Sequence, residues 1–240
     1  MTRIISFALG LFAGGLAAAQ NASPITGQWI VAGPVVLDRV PLKFFTLPNN
    51  TSESPIPLSQ LRVPLDLVRE AGTLHLEGSL KNGGGGGSFT FTPNPSFPAQ
   101  MSSLGIGGLT DRTMFVLAVH GVGSTYVQEL NALGVHPRSP NQLIGMAVQH
   151  VTLEYVREFS ELGYVSLSAD SLISMRVQGV SSEFVKEIEA LGFPHPSVNQ
   201  LISMRVQGVT PEYIRKTRVA GLENLSIEQI VNLRIQGIVE

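Results

Sequence analysis

Leu172-Ile-Ser-Met-Arg-Val-Gln-Gly-Val180 recurs letter for letter from Leu201 to Val209. The same interval orders the flanking chain. Gly105, Gly134, Gly163, Gly192 and Gly221 stand 29 apart, as do Gly121, Gly179, Gly208 and Gly237, with His150 in the one vacant slot. An aromatic column holds Phe97, Tyr126, Tyr155, Phe184 and Tyr213, and a hydroxyl column holds Thr110, Ser139, Ser168, Ser197 and Ser226. Self-similarity at a fixed period is the signature of a repeat architecture.

Each column has a physical task. The hydroxyl column sits where a helix needs an N-cap, its oxygen accepting from an unpaired amide of the first turn. Gln142, Gln200 and Gln229 follow Ser139, Ser197 and Ser226 by three positions, which predicts capping boxes. Pro140 stands at the first helical position, where a missing N–H costs nothing. The glycines end helices, because the residue after a helix commonly adopts the left-handed conformation. About ten residues separate cap from glycine, so each unit holds two short helices.

In the first helix of a unit, Phe184, Val185, Ile188 and Leu191 form one apolar stripe, with Glu183, Lys186, Glu187 and Glu189 opposite. In the second, Leu172, Ile173, Met175 and Val177 spread over about 200° of the helix, which predicts burial against neighbours on two sides. Helices this short are marginal alone, so the units must support one another. The register places five units at 94–122, 123–151, 152–180, 181–209 and 210–238.

Residues 20–93 read differently. Leu61, Val63, Leu65 and Leu67 alternate with polar residues or proline, as do Leu74, Leu76 and Leu80, and Phe89 and Phe91 continue the pattern. That is the period of half-buried strands. Two earlier strands are expected around Trp29 and over 35–45, a long loop over 46–59, and a flexible hairpin loop at the Gly83–Gly87 run. Pro64 suggests an edge strand. The expected fold class is therefore α+β: a small antiparallel meander followed by a helical solenoid of five two-helix units.

The first residues are set apart from this fold. Arg3 gives a positive n-region, residues 4–16 an apolar h-region, and Ala17-Ala-Ala19 a cleavage site before Gln20, which is the order of a secretory signal peptide over 1–19. Export to the periplasm or medium is expected, with no membrane span in the mature chain. The 240 residues carry 16 Lys and Arg against 18 Asp and Glu, a net charge of -2, so the basic excess of a nucleic-acid partner is missing. With no cysteine, disulfides, thiolate zinc sites and a Cys nucleophile are excluded.

Val68-Arg-Glu-Ala-Gly-Thr-Leu-His-Leu-Glu-Gly78, Ser88-Phe-Thr-Phe-Thr-Pro93 and units of the type Gly208-Val-Thr-Pro-Glu-Tyr213 carry a resemblance. From Pro64 to Ile238 the chain resembles exported bacterial proteins, frequent in acidobacteria, that also occur as the extracytoplasmic extension of antirepressor (beta-lactam-sensor-like) membrane metallopeptidases. The H-E-x-x-H motif of the peptidase part does not occur in this sequence, so no peptidase activity carries over. The resemblance implies a sensing or interaction role.

Candidate chemistry is sparse. His75, His120, His136, His150 and His195 show neither i, i+4 spacing nor an accompanying metal-ligand pattern, so no metal and no cofactor is implied. His120 and His150 fall at helix ends. Gly121-Val-Gly-Ser-Thr125 approaches a nucleophile elbow, but its serine opens a helix. The acids of the first helices, such as Glu154 and Glu158, form solvated faces with Arg157 and Lys186 three positions from an acid. Arg176, Arg205 and Arg234 share one column, filled by Ala118 and Ala147 in earlier units, and lie inside the apolar arc. They read either as inward stems that bond loop carbonyls or as a cation ladder lining a ligand-binding groove. In the last helix, Ile227, Ile230, Val231 and Leu233 have no following unit to cover them and form a candidate partner interface or self-association surface.

Two function classes follow. One is an exported non-catalytic module that binds a protein or envelope ligand through the repeats. The other is an exported hydrolase of a glycan or ester, with its site in a cleft between the β-domain and the repeats.

Overall fold

The computed structural model describes residues 24–33, 39–46, 50–57, 59, 62–81 and 84–239; the leader expected over 1–19 and the start of the β-domain at Gln20 lie outside them. The fold is α+β. Strands β1 (Ile25–Val31), β2 (Arg39–Thr46), β3 (Asn50–Pro57), β4 (Leu65–Arg69), β5 (Gly72–Lys81) and β6 (Gly84–Pro93) form one antiparallel sheet in the order β3-β2-β1-β6-β5-β4. Two three-stranded meanders are thus joined where β6 returns beside β1. The alternation seen in the sequence sets the faces: Trp29, Leu42, Phe44, Ile56, Leu67, Leu74, Leu76, Phe89 and Phe91 are buried on one side.

Two expectations for this region are corrected. The loop expected over 46–59 contains β3, which pairs residue for residue with β2. As an edge strand it tolerates Pro55 and Pro57, and Ile56 anchors it to the core. The glycine run is largely strand, with Gly84 to Gly87 paired to Lys81 to Gly78. A Cβ on Gly87 would collide with the Glu77 carbonyl oxygen, so only glycine permits this approach of strands. Pro64 lies just before β4, which is indeed an edge strand.

Ten helices follow among the described residues: α1 (Phe97–Ser103), α2 (Asp111–Val119), α3 (Ser124–Ala132), α4 (Pro140–Val148), α5 (Leu153–Glu161), α6 (Ala169–Val177), α7 (Ser182–Ala190), α8 (Val198–Val206), α9 (Pro211–Val219) and α10 (Ile227–Ile235). From α2 on, the starts of alternate helices keep the interval of the glycine columns. Their ends obey local chemistry. Thr110, Ser139, Ser168, Ser197 and Ser226 each accept from the backbone N–H three positions on. Reciprocal boxes form at Ser197 and Ser226, and at Thr110 with Thr113. At Ser139 the box is incomplete, because the Gln142 amide accepts instead from the Arg138 N–H and donates to Asp170.

Every one of the ten helices closes alike. After α6, Gly179 N–H donates to the Arg176 carbonyl and Val180 N–H to the Met175 carbonyl, the two bonds of a Schellman motif. Gly179 has φ +67°, and His150 takes the same left-handed conformation at φ +53° after α4.

Helices α2, α4, α6, α8 and α10 each contact the next in line, and so do α3, α5, α7 and α9. Their apolar stripes meet between these two layers. One core cluster runs from the sheet through α1 and α2 to Val127 and Leu143; a second runs from Leu130 to Val231. The border between cores therefore lies within 123–151 and not at residue 93. Phe115 of α2 stacks on Phe89 at 5.4 Å and meets Phe91 edge-on at 5.6 Å. The junction read as a cleft is, in the described residues, a packed apolar core.

Candidate functional site

Helices α4, α6, α8 and α10 each present their last turn to solvent. Val148, Val177, Val206 and Ile235 recur at one position of the repeat and are 44, 53, 53 and 59 % exposed, while Val119 of α2, the first of the column, is buried beside the sheet. The wide apolar arc predicted their burial. They are exposed because the neighbouring elements bury Leu172, Met175 and most of their equivalents, with Ala169, Ile227 and Val231, and partly cover Ile144, Ile173 and Ile202, but stop short of the last turn. The result is a row of branched aliphatics on a face otherwise lined by Asn141, Asp170, Ser174, Asn199 and Ser203. Its position in the final turn, at the edge of the arc, was the one sequence signal that could have revealed it.

The arginine column lies at the same helix ends. Arg176, Arg205 and Arg234 are exposed, so their expected inward placement is corrected. Each guanidinium lies over the aromatic ring of the first helix in its own unit: Arg176 over Tyr155 at 4.9 Å, Arg205 over Phe184 at 5.0 Å, Arg234 over Tyr213 at 4.9 Å. Arg205 Nε also donates to the Gln178 carbonyl of the preceding unit at 3.3 Å. The tyrosines of the column hold their units closed. Tyr126, Tyr155 and Tyr213 donate to the carbonyls of Val151, Val180 and Ile238 at 2.6, 2.7 and 2.6 Å. Burial raises the Tyr126 and Tyr155 phenols far above their ordinary range. Arg157 bonds Glu129 of the preceding unit at 2.6 Å instead of an acid on its own helix.

The expected terminal interface is also corrected. Ile227, Ile230 and Val231 are buried in the chain's own second core with Tyr213 and Ile214, and Leu233 is half-buried. The helix α10 is covered from within by the preceding helices. A recess of about 620 Å³ remains beside it, lined by Phe193, Ile214, Thr217, Arg218, Leu225 and Ile230. There Thr217 occupies the core position filled by Leu130, Phe159 and Ile188 in earlier units, its hydroxyl donating to the Ile214 carbonyl at 2.7 Å.

Among the described residues an ionisable cluster lies on the face of the sheet that the helices leave uncovered. His75 Nδ1 is 2.5 Å from Asp66 Oδ1, and Nε2 is 3.5 Å from Glu77 Oε1. The hydrogen bond to Asp66 is the main cause that raises the His75 pKa above its ordinary value. A carboxylate beside each nitrogen favours the charged form of the imidazole. Alternation alone placed His75 on the polar side; the pairing of β4 with β5 that sets Asp66 opposite it is a matter of register. His120, by contrast, is held below its ordinary pKa by burial and then by the nearby His150. His136 bonds the Asn131 side chain at 2.9 Å, and His195 stacks on Tyr164 at 4.3 Å between ring centroids. Among the described residues no group of three or more His, Cys, Asp or Glu is arranged to hold a metal. Ser124, the serine of the elbow-like string, opens α3 and gives both its N–H and its hydroxyl to Glu70.

His150 stands where the nine other helices have glycine. A left-handed conformation costs a side-chain residue about 1–2 kcal/mol, and glycine gives back roughly 0.4–1 kcal/mol in unfolded-chain entropy. His150→Gly is therefore expected to stabilise the protein by about 0.5–1 kcal/mol, measured by urea denaturation at neutral pH. A destabilised variant would show that the imidazole contributes more than its backbone strain takes away.

In comparisons with known proteins, no family model matches the chain, and no curated protein or solved structure matches it either.

Proposed function

We propose that the helices form a solenoid-type array of five 29-residue two-helix units, and that the protein is an exported, non-catalytic interaction or sensing module which binds a protein or cell-envelope ligand through that array. The observation that carries this reading is the row Val148, Val177, Val206 and Ile235, solvent-exposed at one repeating position of the second helices. Scattered exposed aliphatics need no explanation, but their recurrence at one position of successive packed helices fits an interaction surface. Stacked units offer long binding faces, and Arg176, Arg205 and Arg234 add cations at the same helix ends. The leader expected over 1–19 and the resemblance to exported sensor extensions support an envelope setting.

The test uses the parent, a Val177→Asp, Val206→Asp double variant and Arg205→Ala, each photo-crosslinked in envelope extract. The exposed valines contribute little to folding, so the double variant is expected to melt like the parent, within about 0.5 kcal/mol per site. It is also expected to lose a partner that the parent captures stoichiometrically. If Arg205→Ala melts like the parent but loses the partner, the arginines bind ligand; if it only melts earlier, they are structural. Sustained turnover of a generic ester, glycoside or peptide substrate, abolished by one point substitution, would replace this reading with the hydrolase.

A further inference from the structure

We infer that the face of the sheet left uncovered by the described residues is a binding site for a neutral oligosaccharide, separate from the helical surface. The register builds it in two rows. Phe45, Gln28, Ser88 and Glu77 are successive cross-strand neighbours over β2, β1, β6 and β5. Thr26, Thr90, His75 and Asp66 form the second row over β1, β6, β5 and β4. Neighbouring strands lie about 4.8 Å apart and same-face residues of a strand about 7 Å apart, so the eight side chains cover roughly 15 by 7 Å. That is the footprint of two or three pyranose rings in line.

The composition of the platform selects the ligand class. A groove of about 550 Å³ lies over β1, β2 and β6, lined by Thr26, Gln28, Thr46, Ser88 and Thr90 with Gly27 and the rings of Phe45 and Phe89. Hydroxyl and carboxamide groups both donate and accept, which suits a ligand with many hydroxyls that do the same. The Phe45 ring, 37 % exposed on the floor of a polar face, offers an apolar surface to the C–H side of a sugar ring. At the β5 side, Asp66 and Glu77 each hold an oxygen against His75 and keep further lone pairs for sugar hydroxyls. Among the described residues no lysine or arginine lines the groove, and Lys43, further along β2, is paired with Glu53 at 2.8 Å. Phosphates, sulfates and acidic glycans therefore find no lysine or arginine in the groove, and beside it meet two carboxylates against the one imidazole of His75. Strand β6 crosses this face as glycine from Gly84 to Gly87, so it carries no side chain there next to Ser88.

The experiment titrates the protein calorimetrically with neutral hexasaccharides (cello-, malto-, manno- and chito-series) and with hexagalacturonate as the acidic counterpart. At least one neutral oligomer is expected to bind with a Kd below about 1 mM, and the acidic one at least tenfold more weakly. Phe45→Leu should weaken the neutral oligomer about tenfold, while Phe45→Tyr, which keeps the ring, restores it. Gln28→Ala should weaken it severalfold. Absence of binding by all four neutral series at about 10 mM, or equal affinity in the parent and a folded Phe45→Leu variant, would overturn the site. The Val177→Asp, Val206→Asp variant is expected to bind the sugar as the parent does, so failure here is distinct from failure of the helical surface.

Discussion

Deletion of residues 181–209 is expected to leave a soluble protein that melts cooperatively, whereas deletion of residues 181–194 is not. The first cut joins Val180 to Thr210. Val180 and Val209 are both buried residues closing a Schellman motif, and Ser181 and Thr210 both cap the next helix by accepting from an N–H three positions on. Thr210 therefore inherits the place of Ser181, and Ile214 that of Val185. Arg218, which donates to the Leu191 carbonyl, meets the equivalent Leu162 carbonyl of the unit before. The second cut removes α7 with Phe184, Val185 and Ile188, all buried, and leaves Leu201 and Met204 of α8 facing the void. Losing one large core side chain costs about 2–5 kcal/mol, so three cost about as much as the roughly 5–15 kcal/mol that holds a domain folded. Circular dichroism melts with size-exclusion chromatography decide the matter. Equal midpoints for the two deletions would contradict a 29-residue unit.

The second large effect is expected at the sheet–helix junction. Phe89 is buried at the centre of an aromatic group, edge-to-face with Phe44 at 5.4 Å and stacked on Phe115 at 5.4 Å. Its ring thus joins β2 to α2 through β6. Phe89→Ala is expected to cost about 3–5 kcal/mol, the sum of lost burial and an unfilled cavity. Val177→Ala, made on an exposed side chain, should cost no more than about 0.5 kcal/mol. Urea denaturation of both gives the comparison. A loss below about 1 kcal/mol for Phe89→Ala would mean that the sheet and the helices do not share one core.

The local bonds of this chain are written in its nearest neighbours. Ser197 reaches an N–H three positions on, and Gly179 closes a helix by bonding the turn just before it. Such contacts stay within about one helical turn, so a serine, a glycine and an apolar spacing specify them without help, and the ten helix ends were legible. What lies between distant residues was not. The Asn50–Pro57 stretch is polar and proline-rich and is a strand only because β2 offers it a free edge. Gly123 has no capping side chain, and Glu70, far earlier in the chain on the β4–β5 turn, supplies the acceptor to Ser124. The arc of α6 told that Leu172 and Val177 are apolar, but which one a neighbour covers depends on how wide the adjacent helices are and where they stop. The same holds at the chain's end, where Ile230 is buried by elements that precede it and Ile235 is not. Asp66 and His75 meet by strand register, a relation that a shift of a single position would abolish. Period and punctuation are properties of the sequence; coverage and register belong to the tertiary structure, because they are set by packing between segments that no local bond connects.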